Sequence, residues 1–128
     1  MDEIELEPRD VARLISLGRV AIGLGAVIAP RRFGRFWTGE PDTGTTSAIA
    51  MRGLGARDVA LGLGTLFALE GDGPVRGWLE AQALADASDA ASTLLAFRKL
   101  PRLRALALLA TAGGACYVNV ALAGSIDD

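Results

Sequence analysis

The sequence predicts an all-α protein, an antiparallel four-helix bundle that crosses a membrane, and three observations lead to this prediction. The 128 residues hold 51% hydrophobic and 22% charged types, which suits a single domain over residues 1–128. Proline and glycine divide the chain into four stretches of helical length without a convincing strand. The last stretch carries no charge from Ala105 to Ile126, and about 20 apolar residues suffice to cross a bilayer.

The first helix is expected at about residues 10–29. It begins near Asp10, which favours the positive end of the helix dipole, and it stops at Pro30. The basic aromatic stretch at residues 31–37 is interpreted as loop that flanks the membrane with positive charge, and an amphipathic interfacial segment is the alternative. Residues 39–44 are rich in turn formers and complete the longest loop of the chain.

The remaining helices are expected at about residues 46–69, 74–97 and 101–124. Thr46 is a suitable N-cap for the second helix, and Gly71 and Gly73 follow its end. Pro74 and Pro101 suit the first turns of the third and fourth helices, because proline is tolerated where no backbone donor is needed. Four helices of comparable length result.

Basic residues near the helix ends predict the orientation, because membrane proteins keep their more basic loops in the cytoplasm. The two loops on one side hold Arg31, Arg32, Arg35, Arg98, Lys99, Arg102 and Arg104, and the other side holds Arg9, Arg13 and Arg76. We therefore expect a multi-pass protein of the cell membrane with both termini outside. A soluble Ala-rich bundle is the alternative interpretation.

Charged residues near the midpoints of the first three helices predict a polar layer. The layer comprises Arg19, Arg52 and Arg57 against Asp58, Asp86 and Asp89. Antiparallel helices share their midpoint depth, so these side chains are expected to meet, and their formal charges cancel. Cancellation favours burial, because arginine binds a carboxylate through two parallel hydrogen bonds.

The third helix also carries a polar stripe. Gln82, Asp86, Asp89 and Thr93 follow one another at spacings of 4, 3 and 4 residues, which places them on one inward face. Ionised Asp86 and Asp89 repel each other, so one of them is expected to hold a proton unless an arginine reaches between them. The stripe suits an acid/base pair with Gln82 and Thr93 as orienting groups, and it equally suits a structural ion network. Tyr117 and Asn119 on the last helix are secondary candidates, because both lie away from that helix's midpoint.

A faint repeat relates the first two helices at a constant offset of 39 residues. The small residues Ala21, Gly25 and Ala29 align with Ala60, Gly64 and Ala68. Both sets predict faces that let helix backbones approach closely, although coincidence in an Ala/Gly-rich sequence explains the pattern equally well. The same alignment places Arg19 and Asp58 at one depth with opposite charge.

Composition excludes several classes of function. The chain has no histidine and one cysteine, which removes histidine-based catalytic triads, histidine-ligated metals and an internal disulfide. Neither a metal nor a cofactor is therefore expected. A net charge of −2 offers no footprint for nucleic acid. The expected partners are the lipid bilayer, a small apolar ligand and a second copy of the chain.

Three functions from different classes remain open. In the first, the polar layer only sets helix register, within a homo-oligomer or beside a larger partner. In the second, Asp86 or Asp89 carries protons for a transporter that must dimerise. In the third, Asp58, Asp86 and Asp89 supply acid and base to a small apolar substrate, as in an isomerase, a cyclase or an epoxide hydrolase. In that enzyme Arg19 and Arg57 would hold the carboxylates.

The run Leu54-Gly55-Ala56-Arg57-Asp58, followed by Gly62, Gly64, Asp86 and Asp89, resembles small four-helix membrane proteins of actinobacteria whose function is unknown. The likeness covers nearly the whole chain. It implies a four-helix fold and a membrane location, and it implies no particular reaction.

Overall fold

The computed structural model describes residues 3–41 and 44–127, and every regular element in those ranges is helical. The α-helices are α1 (Pro8–Ile28), α2 (Pro30–Thr38), α3 (Gly44–Glu70), α4 (Val75–Leu95) and α5 (Arg102–Ser125), with a 3₁₀ turn at Phe97–Lys99. The all-α prediction is therefore confirmed. The four long helices begin and end within two residues of the predicted bounds. Asp42 and Thr43, which belong to the predicted turn, lie outside the described residues.

The prediction of a loop at residues 31–37 is wrong, because this stretch forms the amphipathic helix α2. Pro30 opens the helix, and Gly39 closes it with a φ of 76°, a left-handed conformation that favours glycine. Phe33 and Trp37 are half-buried on the inner face, with ring centroids 6.3 Å apart. The arginines of this stretch are exposed on the outer face, and their charge is what made the sequence resemble a loop.

Helices α1 and α3 pack antiparallel, with backbone against backbone. A Cβ atom added to Gly23 would lie 2.5 Å from the carbonyl oxygen of Gly55, and one added to Gly55 would lie 2.6 Å from that of Gly23. Gly62, two turns later on α3, is equally close to the carbonyl oxygen of Ser16, at 2.7 Å. Glycine at these three positions therefore allows the short distance between the two helices.

The small residues predicted from the repeat pack only in part. Ala68 is buried, and a Cβ atom added to Gly64 would lie 2.5 Å from the ring of Trp78, but the close contact between α1 and α3 is made by other residues. The buried stripe of α1 consists of Ala12, Ser16, Arg19, Gly23 and Ala26, which alternates spacings of four and three residues. Ala21 and Ala60 lie off this stripe and are exposed. The structure does pair Arg19 with Asp58, whose Oδ1 lies 3.2 Å from Nη1 of the arginine.

Helices α4 and α5 form the second antiparallel pair. Buried residues on α5 recur every seven positions, at Ala105, Ala112, Asn119 and, just past the helix end, Ile126. This spacing is typical of knobs-into-holes packing. An apolar core joins the two pairs at one end and consists of Ala12, Ala68, Leu69, Val75, Leu79, Leu122, Ala123 and Ile126. Because α1 begins and α5 ends beside this core, both ends of the described chain lie at the same end of the molecule.

The surface between the two ends of the molecule is strongly apolar. Large exposed side chains include Leu17 and Leu24 on α1, Leu63 on α3, Leu84 on α4, and Leu106 and Val120 on α5. Two of the four predicted spans, α1 and α5, are long and apolar enough to cross a membrane. Helices α3 and α4 carry several charged residues in their interiors, which is costly for a span that inserts by itself.

Replacing Gly55 by alanine is expected to destabilise the protein, because the added methyl group would meet the backbone of α1. Overpacking of this kind costs about 1–3 kcal/mol. The matched control is Gly53→Ala on the same helix, where the added Cβ meets nothing within 4 Å and the better helix propensity of alanine makes the change neutral or stabilising. Thermal unfolding of both variants measures the difference. Equal melting temperatures for the two variants would contradict the backbone contact.

Candidate functional site

Three helices bring five charged side chains together between the two helix pairs. Helix α1 supplies Arg19, α3 supplies Arg57 and Asp58, and α4 supplies Asp86 and Asp89. These five residues form the polar cluster. Five of the six residues of the predicted layer therefore do meet.

Arg19 and Asp86 form the enclosed half of the polar cluster. Nη2 of Arg19 lies 2.6 Å from each carboxylate oxygen of Asp86, and the two side chains are only 8% and 7% exposed. Nδ2 of Asn119 on α5 donates to Oδ2 of the same aspartate at 2.9 Å. Both oxygens of Asp86 are thus engaged, and this carboxylate links three helices.

Arg57 forms the more open half. It binds Asp89 through two parallel hydrogen bonds, from Nη1 to Oδ1 at 2.9 Å and from Nη2 to Oδ2 at 2.8 Å. Its Nε and Nη2 also donate to Oδ1 of Asp58, at 3.2 and 3.0 Å. Since Nη1 of Arg19 donates to that same oxygen, Asp58 connects the two halves of the cluster.

The three aspartates differ in how much of each carboxylate is occupied. Asp86 and Asp89 have donors on both oxygens, and each is held by a different arginine. Asp58 receives all of its hydrogen bonds on Oδ1, and Oδ2 has no donor among the described residues. The aspartate with a vacant oxygen is therefore Asp58.

Arg52 does not join the cluster, which corrects the predicted layer. It is exposed, and its Nε donates to the carbonyl oxygen of Val27 at 3.2 Å, where it caps the last turn of α1. Arg57 follows Arg52 by five positions, which corresponds to a rotation of roughly 140° around α3, so the two arginines lie on different faces. Without Arg52, two arginines face three aspartates, and the formal charge of the cluster is −1 rather than zero.

The predicted stripe on α4 does face inward, but its members differ in role. Gln82 is fully buried, and its Nε2 donates to Oγ of Ser16 at 3.1 Å and to Oγ1 of Thr65 at 2.6 Å. It thereby ties α4 to both helices of the first pair. Thr93 donates from Oγ1 to the backbone oxygen of Asp89 at 2.8 Å, so its hydroxyl supports the helix locally.

Sequence reasoning missed Ser16 and Thr65 and ranked Asn119 too low. Ser16 and Asn119 lie on buried stripes with seven-residue spacing, since Ser16 precedes Gly23 and Asn119 follows Ala112. Thr65 lies seven residues after the half-buried Asp58 and three after the buried Gly62. Tyr117, the other secondary candidate, is exposed. This heptad spacing identifies the buried face, whereas distance from a helix midpoint does not.

A cleft of about 310 Å³ opens between the two pairs, on the side of the cluster away from the apolar core. Its apolar wall includes Ile22, Ala26, Phe33, Trp37, Met51, Leu54, Leu100 and Leu108. Its polar side is formed by Arg57, Asp58, Asp89, Ser88, Ser92 and Thr93. Arg57, Asp58 and Asp89 therefore face a largely apolar cleft, whereas Asp86 is buried and does not line it.

Comparisons of the chain with protein-family models, with curated proteins and with solved structures find no match. The resemblance to small actinobacterial membrane proteins stays an expectation. Within residues 3–41 and 44–127, no group of three His, Cys, Asp or Glu side chains is placed to hold a metal ion.

Replacing Asp86 by asparagine is expected to lower the free energy of unfolding by about 3–5 kcal/mol, because it leaves Arg19 buried without its main counter-ion. The matched control is Glu80→Gln on the same helix, whose exposed pair with Arg76 contributes about 0–1 kcal/mol. Thermal unfolding followed by tryptophan fluorescence compares the two variants. A loss for Asp86→Asn no larger than that of Glu80→Gln would show that the enclosed pair does not stabilise the fold.

Proposed function

We propose that the chain is a small integral membrane protein, a four-helix bundle whose cleft binds a small and mostly apolar molecule with one polar group. The distribution of residue types supports the membrane. Buried positions hold Arg19, Gln82, Asp86 and Asn119, whereas leucine, isoleucine and phenylalanine are widely exposed. In a protein that folds in water, charged and amide side chains are mostly exposed and large apolar side chains are mostly buried.

The exposed charges also support a membrane. Between Leu14 and Pro30, α1 carries no exposed charge and spans roughly 25 Å at 1.5 Å per residue, close to the thickness of about 30 Å of a hydrocarbon core. Helix α5 is free of charge from Ala105 onward. Arg52 is an exposed charge near the basic end of this belt, and its long side chain can reach the interface.

The two ends of the molecule differ in charge, which supports an orientation. The end away from the apolar core carries Arg31, Arg32, Arg35, Arg98, Lys99, Arg102 and Arg104. The end at which the chain begins and finishes is mostly acidic. By the positive-inside rule the basic end faces the cytoplasm, with both termini outside.

The observation that carries the proposed binding function is the cleft itself. An apolar space of about 310 Å³ accommodates a compact molecule of about ten to fifteen heavy atoms, and small-molecule sites of this kind combine an apolar lining with a few polar groups. The aromatic rings of Phe33 and Trp37 form part of one wall, and the pair of Asp58 and Asp89 around Arg57 provides the polar contact.

An acid/base enzyme is the second candidate, and the vacant oxygen of Asp58 favours it. A carboxylate that lines an apolar cleft can accept a proton from substrate or water. Asp86 is an unsuitable partner, because it is enclosed. The enzyme candidate therefore uses Asp58 as the base, with Asp89 as the second carboxylate.

Fractionation tests the membrane proposal. The full chain is expected to stay in the membrane pellet after an alkaline carbonate wash and to require detergent for release, because its apolar belt must leave water. Recovery in the soluble fraction without detergent would contradict the membrane location.

Binding of 1-adamantanol tests the cleft. Equilibrium dialysis of the radiolabelled alcohol against the purified protein in detergent is expected to show one saturable site. Ser92→Phe fills the cleft from its exposed lining and is expected to abolish that site, while Ala91→Phe, on the neighbouring residue outside the lining, is expected to retain it. Equal binding by the two variants would mean that the alcohol only partitions into detergent.

Hydrolysis of cyclohexene oxide tests the enzyme candidate. If Asp58 activates water, the purified protein is expected to accelerate ring opening, and Asp58→Asn is expected to lower the rate at least about 100-fold, as is usual for loss of a general base. Glu80→Gln serves as the control with an exposed carboxylate on α4. A rate that does not change on Asp58→Asn would exclude this role for Asp58.

A further inference from the structure

We infer that the molecule bound in the cleft is a cation, a protonated amine on a compact apolar group, an inference that rests on the proposed binding function. The cleft establishes the size and apolar character of the ligand. The polar cluster at its side determines which polar group that ligand carries.

The first argument is the charge of the cluster. Two arginines face three aspartates within hydrogen-bonding distance, and Arg52, the cation that would have balanced them, lies on another face against Val27. An uncompensated negative charge beside an apolar space is costly, because few water dipoles remain to stabilise it. A cation in the cleft restores neutrality.

The second argument is the supply of hydrogen-bond donors. Every nitrogen of the Arg57 guanidinium already donates to Asp58 or Asp89. Arg19 is buried, and its two terminal nitrogens donate to Asp58 and Asp86. Nε of Arg19 has no partner within residues 3–41 and 44–127, but Arg19 does not line the cleft. Arg57 keeps one unused N–H group, on Nη1, among the described residues. An anionic ligand would therefore find one unused guanidinium N–H at the side of the cleft, on an arginine that already binds two carboxylates.

The third argument is the vacant acceptor. Oδ2 of Asp58 is free of donors among the described residues, its side chain is 19% exposed, and the residue lines the cleft. An ammonium group brings three donors and would form a charge-assisted hydrogen bond with this oxygen. The rings of Phe33 and Trp37 line the same cleft, and aromatic rings attract cations through their π-systems.

The test compares three probes that share one apolar cage: 1-aminoadamantane, 1-adamantanol and adamantane-1-carboxylate. Equilibrium dialysis at pH 7 is expected to show that the amine binds the wild-type protein at least about tenfold more tightly than the alcohol, as for one hydrogen bond to a charged group. The carboxylate is expected to bind most weakly. The Ser92→Phe variant, whose cleft is filled, measures how much of each probe is taken up by detergent rather than by the cleft.

Asp58→Asn tests the source of the preference. This variant neutralises the cluster, so the amine and the alcohol are expected to bind with equal affinity. Asp58→Glu, which retains the charge, is expected to retain the preference for the amine. The comparison of probes on the wild-type protein stands by itself even where Asp58→Asn does not fold.

Two results overturn the inference in different ways. If the alcohol binds the wild-type protein as tightly as the amine, the cleft is real but the negative charge is neutralised by a proton, and the ligand is not selected as a cation. If none of the three probes binds more tightly to the wild type than to Ser92→Phe, the proposed binding function itself fails.

Discussion

The contact between Arg19 and Asp86 is the interaction on which the rest of the structure depends. Arg19 belongs to the pair α1 and α3, and Asp86 belongs to the pair α4 and α5, so their hydrogen bonds at 2.6 Å join the two halves of the molecule. Asn119 and Asp58 complete the network on either side. Buried hydrogen-bond networks of this kind fix the arrangement of the helices that supply them, because every buried polar group must keep its partner.

The position of these contacts also explains where the cleft lies. Inside each pair, glycine and alanine allow close approach, as at Gly23 and Gly55. Between the pairs, an apolar core fills one end and the polar cluster lies beyond it. The other end is left partly open, and α2 covers it with Phe33 and Trp37. The cleft and the polar cluster therefore lie side by side for the same reason: the two helix pairs are packed tightly only at the end that holds the apolar core.

Helix bounds could be predicted from the sequence because they depend on local chemistry. Proline and runs of turn-forming residues interrupt helices through local chemistry, so the four long helices were found within two residues. The meeting of Arg19 with Asp58 and Asp86 could also be predicted, since opposite charges at equal depth must pair when they are buried. Helix α2 was not predicted, because its three exposed arginines made the stretch resemble a loop, although its aromatic residues Phe33 and Trp37 lie on the inner face.

The remaining errors arose because the sequence analysis placed residues by their depth along a helix, and depth does not show which face of the helix a residue lies on. Arg52 lies near the predicted depth but on another face of α3, which leaves the cluster with a formal charge of −1. Asn119 was ranked low by depth, although its place in the seven-residue stripe of α5 identifies it as buried. The contacting glycines, Gly23 and Gly55, also lie on a different helix face from the exposed residues Ala21 and Ala60 that the repeat aligned. Burial follows the heptad pattern of each helix, and only the packed structure shows which partner each stripe meets.

The most direct test of this account is the coupling energy between Arg19 and Asp86. A double-mutant cycle of Arg19→Gln, Asp86→Asn and the double variant, followed by thermal unfolding in detergent, measures it. The account predicts that the double variant loses less stability than the two single variants together, by at least about 1 kcal/mol, as for residues in one network. Additive losses would contradict the claim that this pair holds the two halves of the protein together.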